Sequence, residues 1–424
     1  AAVQTVVEHN KYWGQLADVM NPQAIAEYIR LTHDRYYARY GHLFGTVIQS
    51  IFTDEARFRW SRLVPDRFQH EHGHPIDYTA YLDPDHPDHR KTFTALRQLM
   101  HKMFHESYDT QLSDWCRRHN IRYCTEKDSE SFDMLACADI PGCDSGHVKA
   151  GARPDCLAGT LRHNARATAS AAYFYNKEGS LCECGHSLGW SATLQDYKFI
   201  AEYLTLQGIT HLVPHGFFYS THALKKHDAP PSFFFQMPWY NFHHLLSERL
   251  NNLWQALKDK HSGATILLLD TTEGLPTNDK ADSNLQQKIQ NALADRRVEF
   301  VVGNTEILEA GTIGQGNVRC HDLDIRVVIL PLLKTRPPRL ESILTKLREA
   351  GVHVLEASDE PSADAAIEAA AALTADTTPW RFEVISGQSD KIWLAARTAT
   401  ELSETRPSGS VFASDNVPAT RLLS

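Results

Sequence analysis

The sequence predicts an α/β protein built in two parts. Three observations carry that prediction. The chain is 424 residues long with 42% apolar and 22% charged residues, ordinary globular values over a length that one hydrophobic core does not usually fill. Its first 260 residues alternate short apolar runs that end in polar residues with amphipathic helical stretches, the rhythm of parallel β/α units whose strand ends gather at one face. Beyond a break at Lys260-His261-Ser262-Gly263, continuous apolar runs alternate with helices, as in an open sheet covered on both faces.

Residues 3–40 read as helix, with Ala24, Ile25, Tyr28, Ile29 and Leu31 at helical spacing after an Asn21-Pro22 start signal. Residues 45–52 are β-branched and apolar and run into Thr53-Asp54-Glu55, polar residues that a buried strand tolerates only at its mouth. Residues 66–88, rich in Pro, His and Asp, read as an excursion loop. A helix follows over 89–120, with Phe93, Leu96, Leu99, Met100, Met103 and Phe104 on one side. Further strands are expected at 120–126, closing on Glu126; at 136–144, with Pro141-Gly142 marking the exit; at 180–183, closing on Glu183; and at 209–215. Helices over 164–176 and 191–207 separate them. The last exit loop is aromatic, with Phe217, Phe218, Tyr219, Phe233, Phe234, Phe235, Trp239 and Tyr240.

The second part offers strands at 264–269, 298–302, 325–330 and 352–355 and helices at 284–295 and 340–350, with the alanines of 365–372 continuing a further helix. This predicts a flavodoxin-like, doubly wound domain over 261–375. Its first strand is followed by Asp270-Thr271-Thr272-Glu273-Gly274 and not by a Gly-rich phosphate loop, so neither a nucleotide nor a flavin is expected. Residues 380–394 read as two strands joined at Gly387-Gln388-Ser389-Asp390 and open a β-rich appendage over 376–424.

Composition excludes several functions. A formal net charge of −9 argues against a nucleic-acid binder, whose footprint is basic. No window approaches the roughly 18 consecutive apolar residues of a membrane span. The chain begins at Ala1 without a charged-then-apolar leader, and its eight cysteines lack CxxC pairs, a spacing that fits buried thiols of an intracellular protein better than a zinc ribbon.

Three motifs compete for the chemistry. His70-Glu71-His72-Gly73-His74 matches HExxH, but a zinc protease needs that motif on a continuous helix, and Gly73 with Pro75 would end one there. Gly185-His186-Ser187-Leu188-Gly189 matches the GxSxG nucleophile elbow between a strand and a helix; the preceding Leu181-Cys182-Glu183-Cys184 is shorter and more polar than an elbow strand should be. The third pattern is a pair of strand-end carboxylates. Counting strands back from 209–215 as the eighth of a (β/α)8-type barrel puts Glu55 at the end of the fourth and Glu183 at the end of the seventh, across the mouth from each other. Paired carboxylates so placed can protonate a leaving oxygen and act from the opposite face of a sugar. Only the five C-terminal strands of such a barrel, covering 1–260, are visible. The N-terminal three are therefore expected from the rest of a longer polypeptide or from another chain, since an incomplete barrel exposes strand edges.

The segment Ile51-Phe52-Thr53-Asp54-Glu55, the stretch from Trp115-Cys116 to His119-Asn120-Ile121, Ile140-Pro141-Gly142-Cys143-Asp144, Ala169-Ser170, and Glu183 with Gly189-Trp190 together resemble the catalytic barrel of glycoside hydrolase family 106, the α-L-rhamnosidase-like group. The resemblance covers about residues 40–350, since that family also carries a flavodoxin-like domain after its barrel. It implies an inverting, calcium-assisted hydrolase that removes a terminal deoxyhexose such as rhamnose from an oligo- or polysaccharide, with Glu55 and Glu183 as its acid and base. On this expectation Asp54, Asp144 and His215 bond sugar hydroxyls, Trp190, Phe218, Tyr219 and Trp239 stack on sugar faces, and Glu126 ligates calcium. The chain departs from the family after strand five, where Thr125-Glu126-Lys127 stand in place of a Gly-His pair. Two other readings of the residues stay open at this point: a carbohydrate-binding or assembly protein on the same fold without turnover, and a serine esterase using the GHSLG motif.

Overall fold

The computed structural model describes residues 17–56, 58, 60–127, 132–146, 165–257, 263–270, 280–296, 298–333, 336–374, 380–386 and 392–398. Five strands, β1 (Ser50–Thr53), β2 (Arg122–Glu126), β3 (Ile140–Asp144), β4 (Leu181–Cys184) and β5 (His211–Pro214), lie in chain order in one curled, all-parallel sheet. Sequential parallel strands joined by helical crossovers make half of a barrel. Among the described residues β1 and β5 each pair with only one other strand, so both edges of the half-barrel are open.

Alternation along each strand sorts the side chains into two environments. Cys124, Ile140 and Leu181, with the partly buried Phe52 and Val213, form a small apolar cluster of their own on the inner, concave face. The residues two positions further on in β1, β2, β3 and β4 are Asp54, Glu126, Gly142 and Glu183, and one more step along β3 brings Asp144. The register sets Asp144 beside Glu183 and Glu126 beside Gly142. Alternation alone therefore aims four carboxylates the same way at the strands' C-terminal ends.

On the outer face, the long connection from β1 to β2 supplies its own core. Helices His89–Phe104 and Thr110–Arg118 bury Leu96, Leu99, Phe104, Leu112 and Trp115 against Tyr123 of β2 and against Ile25 and Ile29 of the helix Pro22–Leu31. Trp115 ties in the next helix, His33–Tyr40, by donating from Nε1 to Asp34 at 2.8 Å. The expected excursion over 66–88 is instead two helices, Val64–His72 and Tyr78–Leu82. Its prolines and aspartates are punctuation: Pro65 sits in the first turn of one, Gly73 stops it in the left-handed region at φ 75°, and the Asp77 side chain caps the other by accepting from Thr79 and Ala80.

Pro141-Gly142 also differs from expectation, lying inside β3 and not at its exit. At Gly142 a Cβ would stand 2.9 Å from the Thr125 carbonyl oxygen, so the glycine serves close strand packing.

The second sheet joins β6 (Ile266–Leu269), β7 (Val301–Gly303), β11 (Val327–Pro331) and β12 (His353–Ala357), all parallel, in the order β12-β11-β6-β7. Between β7 and β11 stand the helix Thr305–Ala310 and three short antiparallel strands, β8 (Thr312–Ile313), β9 (Val318–Cys320) and β10 (Leu323–Ile325), which the helix-strand rhythm did not predict. The helices Pro338–Glu349 and Glu360–Thr374 cover the sheet with Leu340, Leu344, Leu347, Ala363, Ile367 and Ala370. A final hairpin pairs β13 (Trp380–Ser386) with β14 (Ile392–Thr398) antiparallel.

The helix Ala165–Phe174, between β3 and β4, belongs to both sheets. Ala167, Ala171 and Phe174 pack into the core of the second sheet, and Ser170 Oγ accepts from the Val302 N–H at 3.0 Å. Small side chains let it lie between two layers, which accounts for its run of alanines.

Candidate active site

Four of the five strand ends deliver five acids to one place. One carboxylate oxygen each from Asp54, Glu126 and Glu183 lie within 4.8 Å of one another, and the same holds for Glu55, Glu126 and Asp144. Glu126 is the member the two groups share, so Glu55 and Glu183 each bring an oxygen within 4.8 Å of it. Asp54 and Glu126 reach the site by strand alternation, whereas Glu55 enters after the strand has ended, at φ 39°, a turn that redirects an otherwise outward position.

Glu126 is 0% exposed, and neither of its carboxylate oxygens meets a hydrogen-bond donor. Burial, followed by the charges of Glu183, Asp144, Cys143 and Asp54, pushes its carboxyl up to about 11. Glu183, 9% exposed, is pushed up to about 7 by burial and then by the charges of Asp54 and Asp144. With carboxyl groups this close in a buried site, ionising one opposes ionising the next, so the proton is retained within the cluster. The site thus holds a proton on a carboxyl group near neutral pH, the requirement for general acid work.

His186 completes the wall. Its imidazole is buried and Nε2 lies 3.2 Å from Asp144 Oδ1. The ring faces that of His215 at a centroid distance of 6.0 Å, and His215 meets Phe218 edge-on at 6.2 Å. Phe218 in turn packs against Trp190 at 5.9 Å. His215 and Trp190 are thereby linked to the acids through a continuous row of rings. Trp239 is placed otherwise: it packs on Phe233 and His243 and donates from Nε1 to the Ala192 carbonyl at 2.8 Å. Tyr219 is 87% exposed. His186 and the central position of Glu126 were missed as features of a catalytic pair, although the alternation of β2 and the step from Glu183 to His186 contain the signal.

The other two motifs do not assemble. The helix carrying His70 and Glu71 ends at His72, which leaves His74 beyond its last turn, and Glu71 is engaged by Arg67 and Lys102. Ser187 does adopt a left-handed backbone at φ 62°. However, the helix an elbow needs directly after its serine starts only at Leu194, where Thr193 and Asp196 form a capping box. No disulfide joins any of the seven described cysteines.

Behind β2, on the helix side, Lys127 and Asp109 form a fully buried ion pair at 2.7 Å, and Tyr123 donates to the same carboxylate at 3.0 Å. His105 and Cys137 stand beside it, and the three offer metal-ligating atoms within 4.8 Å. The lysine ammonium already neutralises that aspartate.

No protein-family model matches the chain, and no curated protein matches it in sequence. Solved structures do match in fold. A rhamnosidase from Novosphingobium sp. PP1Y superposes with a TM-score of 0.63 at 12% identity, over 91% of this chain and 42% of the rhamnosidase. A β-galactosidase from the haloarchaeon Halorubrum lacusprofundi gives 0.58 at 13% identity, over 93% of this chain and 67% of the other. A GH42 β-galactosidase from G. stearothermophilus gives 0.50 at 9%, over 90% and 64%. This chain therefore spans less than half the length of the rhamnosidase, and its neighbours in fold are glycoside hydrolases.

Proposed function

We propose that this chain carries the catalytic residues of a glycoside hydrolase that removes a terminal deoxyhexose, rhamnose-like, from an oligo- or polysaccharide. The observation that carries the reading is the convergence of Glu55, Glu126, Asp144 and Glu183 with Asp54 at the C-terminal ends of parallel strands, the end at which barrels of this kind perform chemistry. The likeness in fold to a rhamnosidase and to β-galactosidases supports it.

Glu55 and Glu183 form the acid and base pair. One donates a proton to the glycosidic oxygen as the bond breaks, and the other activates water on the far face of the ring, with inversion at the anomeric carbon. Asp54, Asp144 and His215 accept or donate hydrogen bonds to ring hydroxyls, with Asp144 held by His186. Trp190 and Tyr219 supply apolar area on the rim, while Trp239 packs beneath it on Phe233 and His243.

Calcium fits the donor set. Asp54 and Asp144 each bring a hard oxygen ligand within 4.8 Å of Glu126, which is buried with no donor on either oxygen. A calcium ion bound there would supply fixed positive charge for sugar hydroxyls. The open edges of β1 and β5 are met by the missing barrel strands, from the rest of the polypeptide or from another chain.

Cleavage of an aryl rhamnoside, followed by proton NMR of the first sugar anomer released, tests the proposal. Glu183→Gln and Glu55→Gln should each lower turnover by about three orders of magnitude or more while leaving the circular dichroism spectrum intact. Unchanged turnover in both variants removes the assignment, and a retained anomer removes the inverting mechanism.

A further inference from the structure

The segment that follows β5 differs in composition from the rest of the chain. Residues 217–245 contain nine aromatic side chains, Lys225, Lys226 and four histidines but a single acid, Asp228, in a protein with 52 acidic residues. Phe217, Tyr219 and Leu224 are exposed in it, as are both lysines. Neither lysine has a carboxylate partner among the described residues, in contrast to Lys102, Lys127, Lys198 and Lys288, which do.

The segment is fastened to the mouth. Trp190 donates from Nε1 to the Lys226 carbonyl at 2.8 Å, Ser187 N–H to Ala229 at 3.1 Å and Gly189 N–H to Pro230 at 2.8 Å. The GHSLG loop, which begins two residues after Glu183, therefore acts as the seat for the turn Ala223–His227 that bears the lysines. Through Trp190, Phe218 and His215 that seat is continuous with His186 and Asp144. An aromatic and cationic rim is thus linked through a row of rings to the carboxylate cluster. The two demand different things of one ligand, since the cluster repels a negative ring while the rim attracts one.

Resting on the hydrolase reading above, we infer that the rim around Lys225 and Lys226 is a subsite for an anionic saccharide unit, one bearing a sulfate ester or a carboxylate, next to the neutral sugar that enters the acid cluster. Phe217 and Tyr219 would stack on pyranose faces while the ammonium groups pair with the anion.

Affinity electrophoresis of the whole chain tests this in gels containing a sulfated galactan, the same galactan chemically desulfated, polygalacturonate, or its methyl ester. The anionic polymers should retard the chain more strongly than their neutral partners, and Lys225→Glu with Lys226→Glu should weaken that binding about tenfold while sparing the neutral polymers. About 0.5 M salt should erase the preference. Preference for only one of the two anionic polymers identifies the anion. Equal binding of charged and neutral forms, or an undiminished preference in the double variant, overturns the subsite but leaves the hydrolase reading standing. Equal retention by a single-stranded DNA oligomer overturns it as well, as generic polyanion binding. Binding of none of these polymers overturns the subsite as well, and the hydrolase reading stands or falls separately on cleavage of the aryl rhamnoside.

Discussion

Glu126→Gln probes the central feature of the site, a buried carboxyl group that keeps its proton. Glutamine has nearly the shape of protonated glutamic acid and carries no charge at any pH. The ordinary value for Glu126 is 4.5, and the fold raises it to about 11. A raised carboxyl contributes its full share to stability only below 4.5, where the unfolded chain is protonated too, and that share is lost as pH climbs toward the folded value. Each pH unit in that window is worth about 1.4 kcal/mol. At pH 8 the native protein therefore forfeits about 5 kcal/mol relative to pH 4.5 at this one fully buried position, and the variant forfeits nothing there. Urea unfolding in a chelator at pH 5, 6.5 and 8 should show the two proteins within about 1 kcal/mol at the lowest pH and the variant increasingly more stable above it. Added calcium should narrow the gap, because a cation lets Glu126 ionise and stabilises the native protein selectively. A gap of constant size across pH, or a variant less stable at every pH, would refute the electrostatic account of the cluster.

Two further substitutions test the frame that holds the acids. Lys127→Met leaves Asp109 buried without its ammonium and should cost about 3–5 kcal/mol in the urea midpoint, with Asp109→Asn in the same chain recovering part of the loss. Gly142→Ala places a Cβ 2.9 Å from the Thr125 carbonyl and should cost about 1–3 kcal/mol. Because Thr125 precedes Glu126, this variant should also reduce catalytic turnover by more than its stability loss explains; a stability change alone would confine Gly142 to packing.

Much of this arrangement was legible in the amino-acid order, and the part that was not has a physical reason. Strands such as 180–183 and 209–215 announce themselves because apolar runs bounded by turn residues have few alternatives. The helices at 64–72 and 78–82 were hidden because proline at a first turn and aspartate at an N-cap are the same residues that make loops. The residues behind β2 were hidden for another reason. Asp109 lies 14 positions before Tyr123 and 18 before Lys127 in sequence, and nothing local marks a lysine as buried until a π-helical turn at His105–Asp109 brings its partner beneath the sheet.

Glu126 shows how the two kinds of information combine. Read along the chain, it is one acid at the end of a short strand, followed directly by the base Lys127. In the fold, alternation sends the two to opposite faces of β2: Lys127 to Asp109 among the helices, Glu126 to four other acids on the concave side. A strand that separated acid from base less strictly would let Lys127 neutralise the cluster, and Glu183 would then lose its hold on a proton near neutral pH. The period of a β-strand is thus what keeps a basic residue next in sequence from cancelling the acidity on which the proposed chemistry rests.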